Sequence, residues 1–188
     1  MRIGLDIDDT ICKTTEIVHN RIEIFAEKHN LNPLDVMNDE YLKQEFFDDY
    51  LEDIYKNVEI KKNAKEVLRR LKNKGNKIYI ITSRNNHMSK KVKDVEKLTI
   101  DWLAKNDIII DEIEINAYGD GKASACRKYK IDLMIDDNPY NFKKIIATGT
   151  KCLLFDDRGR YDMKGVYMST WNDIESYIER NYENEKNS

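Results

Sequence analysis

Short apolar segments alternate with segments of helical periodicity along most of this chain, and this alternation restricts the fold more than any other feature. Five apolar segments of four to six residues are typical of buried strands: 2–7, 77–82, 112–115, 132–135 and 151–155. A weaker sixth candidate covers 165–168, and helical patterns cover 90–106, 123–129, 140–147 and 172–181. Because alternating strands and helices build sheets covered on both faces, we expect an α/β protein with a Rossmann-like parallel sheet flanked by helices.

One long interval breaks the alternation. Residues 11–76 contain no convincing strand, and their periodicity predicts helices over 14–29, 39–55 and 64–74. A simple crossover between parallel strands needs only about a dozen residues. We therefore predict an α/β core at 1–12 and 75–182, a small inserted all-helical cap at 13–74, and a flexible tail at 183–188.

Charge and cysteine content exclude several functional classes. The chain has 32 Lys+Arg against 35 Asp+Glu, a formal net charge of −3, which argues against binding to nucleic-acid polymers. Its longest apolar runs are four or five residues, far from the roughly 20 that cross a bilayer. Cys12, Cys126 and Cys152 lie far apart and form no C-x-x-C pair. We expect a cytoplasmic protein with no membrane partner.

Polar side chains follow three of the predicted strands where each strand ends. Ligands of open parallel sheets bind beyond these carboxyl ends, so we expect the polar groups to converge there. The first strand leads into Asp6, Asp8 and Thr10, the second into Thr82 and Ser83, and the fourth into Asp136 and Asp137, while Lys122 precedes the helix that leads to the fourth strand.

Carboxylates crowded at one sheet edge repel one another, and a bound divalent cation removes that repulsion. Oxygen-only ligands favour Mg²⁺, which usually shares its remaining positions with waters and a substrate phosphate. Lys122 and Thr82 supply the cationic and hydroxyl donors that a phosphate needs. An aspartate can attack phosphorus to form an aspartyl-phosphate, and a second acid can serve the leaving group and then water.

These motifs, in this order, resemble the haloacid dehalogenase-like phosphohydrolase superfamily. The shared order is strand then Asp-x-Asp-x-Thr, strand then Thr-Ser, an isolated Lys, and strand then Asp-Asp, from residue 2 to residue 147. The helical interval stands where that superfamily inserts a cap. Segments 80–84, 99–103, 121–122 and 135–139 further resemble the cytosolic 5′(3′)-deoxyribonucleotidase family and its bacterial nucleotidase relatives.

The resemblance implies roles for the acidic residues and for one threonine. Asp6 would be the nucleophile and a metal ligand. Asp8 would be the acid/base and would lend its backbone carbonyl to Mg²⁺. Asp136 would be a further metal ligand, with Asp137 and Thr10 as orienting residues.

The resemblance also implies a phosphate-binding set. Thr82, with Ser83, would hold the phosphoryl oxygens, and Lys122 would neutralise charge on the nucleophile and the phosphate. The better-known deoxyribonucleotidases continue the second motif with proline, whereas Arg84 stands here. We expect most of the cap's aromatic residues to be core, with only one or two facing substrate.

The sequence thus predicts a Mg²⁺-dependent phosphomonoester hydrolase acting on a small molecule, of the 5′-nucleotidase type for deoxyribonucleotides. A phosphatase for a non-nucleotide ester is the alternative. A phospho-accepting receiver-like module is a third interpretation, although receivers place the acid pair first and have no use for a cap. A non-catalytic phosphate-binding scaffold ranks last. The further acid pairs Asp48-Asp49 and Asp156-Asp157 are interpreted as solvated surface.

Overall fold

A parallel sheet forms the centre of the molecule, for which the computed structural model describes residues 1–161 and 167–183. Its strand order is β3-β2-β1-β4-β5-β6, and every pairing is parallel. This arrangement confirms the predicted fold class. The strands are β1 Arg2–Leu5, β2 Lys77–Ile81, β3 Glu112–Glu114, β4 Leu133–Asp136, β5 Lys151–Phe155 and β6 Tyr167–Met168.

Helices occupy the connections between strands. Within the described residues they are α1 Thr14–His29, α2 Pro33–Asn38, α3 Glu40–Asn57, α4 Ala64–Asn73, α5 Val95–Lys105, α6 Gly121–Tyr129, α7 Pro139–Ile146 and α8 Trp171–Ile178, with a π-helical turn at Glu179–Glu183. Local sequence explains several starts. Asn138 caps α7 by accepting from the Tyr140 amide, and Thr170 forms a capping box with Asp173 at α8. None of the helices described is both long and apolar enough to cross a membrane.

Several element boundaries differ from the sequence expectation by a few residues, and helix α2 was not predicted. Strand β1 ends at Leu5, because the chain turns sharply beyond it and Asp9 adopts a left-handed φ of 56°. Helix α5 begins at Val95 instead of residue 90, because 84–94 forms a loop that is held by Asp48 of α3 and by its own Asn86. Of the predicted strand 165–168, residues 165 and 166 lie outside the described residues, as does most of the predicted tail.

The sheet separates two apolar layers, as the alternation of side chains along a strand requires. Leu133 and Ile135 of β4 lie in the layer covered by α4, α5 and α8, whereas Met134 lies in the layer covered by α6 and α7. Adjacent strands are aligned so that Leu5 lies between Ile80 and Ile135. The carboxyl ends of β1, β2 and β4 therefore meet at one edge.

Helices α1, α2 and α3 form a third apolar cluster above that edge. Phe25 and Phe46 are fully buried in it, together with Val92 and Val95 from the region around the start of α5. Helix α4 instead buries its apolar face against the sheet layer. The division into core and cap stays a prediction, and this packing favours a cap that ends before α4.

Candidate active site

The first strand delivers Asp6 to the centre of the sheet edge. Asp6 is 5% exposed, and its amide still donates to the Ile135 carbonyl at 3.0 Å, as if the strand continued for one residue. The amides of Thr10 and Ile11 then both donate to the Ile7 carbonyl, which closes a tight turn. This turn holds the two residues after Ile7 directly beside the sheet edge.

Lys122 connects the two central strands electrostatically. Its ammonium lies 2.9 Å from Asp6 Oδ1 and 2.7 Å from Asp136 Oδ2, and its side chain is only 3% exposed. It reaches them from the first turn of α6. Burial alone would lower the pKa of Lys122, but the charges of Asp6 and Asp136 raise it above its ordinary value. Lys122 is therefore a permanent cation at the centre of the site.

Three carboxylates form what we call the acid cluster: Asp6, Asp136 and Asp137, each with a carboxylate oxygen within 4.8 Å of the others. Asp136 is fixed by the Asn138 amide at 2.9 Å and by Asn141 Nδ2 at 3.1 Å. Burial raises the pKa of Asp6, with Asp136 and Asp137 adding to it against the opposing effect of Lys122. Burial and the Asp136 charge raise the pKa of Asp137 to about 6.

The acid cluster fits a magnesium ion. Its donors are all oxygens, which Mg²⁺ prefers. The raised pKa values of Asp6 and Asp137 reflect burial and repulsion between neighbouring carboxylates, a conflict that a cation relieves. Asp6 and Asp136 would hold the ion, with Asp137 beside it.

Asp8 is bound by Arg84, a residue to which sequence analysis gave no role. Arg84 donates to Asp8 Oδ1 from Nη2 at 2.7 Å and to Oδ2 from Nε at 3.0 Å, and Thr14 Oγ1 donates to Oδ1 at 2.7 Å. The guanidinium is fully buried and lies 3.9 Å from the ring centre of Tyr55. Burial would raise the pKa of Asp8, but the charge and hydrogen bonds of Arg84 lower it below its ordinary value. The only sequence signal was that Arg84 replaces an expected proline.

The hydroxyl residues differ in how they are placed. Thr82 is buried at the end of β2, where its hydroxyl accepts from the Arg84 amide at 3.3 Å. Ser83 Oγ donates to the Ala117 carbonyl at 3.1 Å. The Thr10 hydroxyl is buried with no hydrogen-bond partner in the described structure, so it makes no hydrogen bond to the acid cluster.

The segment after β5 adds two arginines that sequence analysis did not place at the site. Arg158 Nη2 lies 3.0 Å from Asp9 Oδ2, and Arg160 Nη2 lies 3.3 Å from Asp137 Oδ2. Arg160 also binds Asp156, which is fully buried. The prediction of a surface position was therefore wrong for Asp156, because amides of its own loop and Arg160 satisfy its carboxylate.

A cavity of about 280 Å³, here called the cap cavity, lies beside Asp8. Helices α1 and α3 and the loop after β2 supply its lining, which includes Ser83 and Arg84. The site therefore has a polar part at the sheet edge and a separate space beneath the cap.

No curated protein matches the chain at a significant level. Comparison with solved structures agrees with this architecture. Solved structures of similar fold include a haloacid dehalogenase-like family protein of Streptococcus pneumoniae, with a TM-score of 0.71, 12% identity, and coverage of 94% of this chain and 97% of that one. Another is a HAD family hydrolase of Deinococcus radiodurans with bound phosphate and sodium, with a TM-score of 0.65, 10% identity, and 95% of each chain covered.

A third similar structure is a HAD hydrolase of Bacillus subtilis bound to magnesium, with a TM-score of 0.66, 10% identity, and coverage of 94% of this chain and 97% of that one. These low identities establish the fold alone. The family model for haloacid dehalogenase-like hydrolases matches residues 14–165, which is most of the chain. The chain therefore belongs to the haloacid dehalogenase-like hydrolase family.

Proposed function

We propose that this protein is a Mg²⁺-dependent hydrolase of small phosphomonoesters that works through a phosphorylated Asp6. One observation supports this proposal above the others. A buried lysine bridges Asp6 and Asp136, and Asp137 lies within reach of both, at the edge of the sheet where ligands bind. A carboxylate nucleophile, a fixed cation and oxygen ligands for a metal are the parts that such a reaction needs.

In the first step, a carboxylate oxygen of Asp6 forms a bond to phosphorus while the bond from phosphorus to the ester oxygen breaks. Protonated Asp8 gives its proton to that leaving oxygen, so an alcohol departs. Lys122 faces the developing charge, and the Thr82 hydroxyl orients a phosphoryl oxygen. When bound, Mg²⁺ would offset the negative charge of the phosphate and the carboxylates.

In the second step, ionised Asp8 takes a proton from water as the water oxygen attacks phosphorus. The acyl-phosphate bond breaks, which regenerates the Asp6 carboxylate and releases phosphate. The Arg84 contacts favour this ionised form of Asp8. The proton taken from water leaves Asp8 protonated for the next cycle. The contacts of Arg84 determine how readily Asp8 takes up that proton.

The 5′-nucleotidase hypothesis, of the deoxyribonucleotide type, is a narrower form of this proposal. One observation favours it: Phe47, a half-buried aromatic residue, lines the cap cavity, and aromatic rings can stack on nucleobases. A non-nucleotide ester is the alternative substrate. A cytoplasmic location also stays a prediction.

Phosphate release from a panel of phosphomonoesters, with Mg²⁺ or with EDTA, tests the proposed function. We expect Mg²⁺-dependent release by the wild type and by Asp49→Asn, an exposed control, and only background release by Asp6→Asn. Wild-type turnover in Asp6→Asn would refute the assignment. Labelling of Asp6 by acetyl phosphate with no turnover would instead support the receiver-like interpretation.

A further inference from the structure

The cap cavity adjoins the group that would protonate the leaving oxygen. Asp8 lines the cavity, and so does Ser83, the neighbour of Thr82 in the proposed phosphate site. In the proposed function the phosphoryl group lies at Asp6, two residues before Asp8. The alcohol part of the ester must then extend past Asp8 and into the cap cavity.

The wall of the cap cavity is apolar. Most of its lining is apolar or aromatic: six of the ten lining residues are Val18, Phe47, Leu51, Ile54, Tyr55 and Met88. The single hydroxyl among them belongs to Tyr55, and it points at a sulfur, with Tyr55 Oη 3.5 Å from Met88 Sδ. An apolar group that enters this space leaves water, which makes its binding more favourable.

The polar side chains at the cavity already donate hydrogen bonds to other groups of the protein. Thr14 and Arg84 donate to Asp8, and Ser83 donates to the Ala117 carbonyl. With these donors already used, sugar hydroxyls or a base edge would gain few new hydrogen bonds in exchange for the water they lose, which disfavours them. The volume of about 280 Å³ lies just below the range of about 300–1,000 Å³ that holds drug-sized ligands, so the occupant is compact.

We infer that the cap cavity is the leaving-group site and that it selects phosphate esters of compact apolar alcohols over sugar phosphates and nucleotides. This inference rests on the proposed function, because it uses Asp8 as the group that protonates the leaving oxygen. It decides between the two substrate classes that the sequence left open.

The test compares kcat/KM for benzyl phosphate, glycerol 1-phosphate, glucose 6-phosphate and deoxythymidine 5′-monophosphate. All four release a primary alcohol, so differences report the cavity more than the leaving-group acidity. We expect benzyl phosphate to be preferred by about 100-fold, the discrimination an apolar pocket achieves against added hydroxyls. Equal or better turnover of the nucleotide or either polyol ester would overturn the inference and leave the proposed chemistry intact.

A matched pair of variants tests whether the cap cavity causes the preference for benzyl phosphate. Met88→Gln places an amide in the cavity wall and should reduce the preference for benzyl phosphate by about 10-fold. Met37→Gln makes the same change in the cap outside this cavity, and should leave the preference unchanged. Thermal melting checks that both variants fold. An equal effect in the two variants would contradict the assignment of the cavity.

Binding measurements test the cap cavity independently of catalysis. Phosphonates are not hydrolysed, so calorimetry with wild-type protein and Mg²⁺ can compare benzylphosphonate with methylphosphonate. Tighter binding of benzylphosphonate supports the apolar site, and equal binding overturns it. Failure of every ester, and of acetyl phosphate, to release phosphate would overturn the proposed function, and the leaving-group assignment with it.

Discussion

Asp8 is a half-buried carboxylate whose charge depends mainly on Arg84. Arg84 holds its pKa below the ordinary value although burial acts in the opposite direction. Arg84→Gln removes that charge, so the pKa of Asp8 should rise and less of the ionised form that activates water should be present at any given pH. We expect the dephosphorylation rate to fall by about 100-fold, the scale of a lost general base, with phosphorylated Asp6 accumulating in intact-mass spectra.

The conservative variant separates charge from packing. Arg84→Lys keeps a cation near Asp8 and loses the stacked guanidinium over Tyr55. Rescue of most of the dephosphorylation rate, with a pH profile nearer that of the wild type, is the expected outcome. Equal rates and profiles in both variants would mean that Arg84 acts only through packing.

Lys122 should contribute to catalysis through its fixed charge. Lys122→Met removes the cation between Asp6 and Asp136, and we expect kcat/KM to fall by about 10²–10³, as when one charged oxyanion donor is lost. Lys128→Met is the matched control, because Lys128 lies in the same helix and pairs with Glu114 at the surface. Steady-state kinetics that leave Lys122→Met unchanged would remove Lys122 from the mechanism.

At the residue scale, the sequence predicts those positions that strand order alone determines. Asp6 and Asp136 follow apolar strands, and parallel strands that end at one edge must bring them together. Arg84 is different: its partner lies 76 residues away and its burial depends on the cap. The buried position of Asp156 likewise depends on loop amides and Arg160, which no local pattern reveals.

At the scale of elements, the cap is joined to the core by a shared apolar cluster. Val92 and Val95 pack among the cap residues, and the loop before α5 is held by Asp48 of α3, which accepts from Ser89 Oγ and from the Lys90 amide. The helical pattern of the sequence extended α5 back to residue 90. The tertiary contacts of Asp48 replace helical hydrogen bonds there, so local periodicity could not show the true start.

Asp48→Asn tests this contact between cap and core. Its hydrogen bonds lower the pKa of Asp48 although desolvation acts to raise it. The stabilisation should therefore be present above the unfolded pKa of about 3.9 and be lost as the pH falls through the lower folded value. We expect urea unfolding to show that Asp48→Asn lowers the free energy of unfolding by about 1 kcal/mol near pH 7 and by less in acid. Glu52→Gln is the control in the same helix, because Glu52 pairs with Lys56 of α3 itself, and an equal loss there would argue for general charge effects.

At the scale of the whole molecule, the acid cluster destabilises the folded state, because its carboxylates lie close together away from solvent. Burial and mutual repulsion raise the pKa values of Asp6 and Asp137, so the folded state binds more protons than the unfolded chain over the pH range between the two sets of values. Stability that is present below the unfolded pKa must then be lost as the pH rises through the folded pKa. For Asp137 this window runs from about 3.9 to about 6.

Metal binding should reverse this loss, which gives a test independent of activity. In EDTA, we expect the free energy of unfolding of the wild type, taken relative to that of Asp137→Asn, to fall by up to about 3 kcal/mol between pH 4 and pH 7. Acids with lowered pKa values, such as Asp8 and Asp48, contribute to both proteins and cancel in this difference. Mg²⁺ at 100 times its Kd should restore about 2.7 kcal/mol near pH 7. A difference between the two proteins that stays constant through this range, with no response of the wild type to Mg²⁺, would show that burial and repulsion do not raise the pKa of Asp137 and that the acid cluster binds no metal.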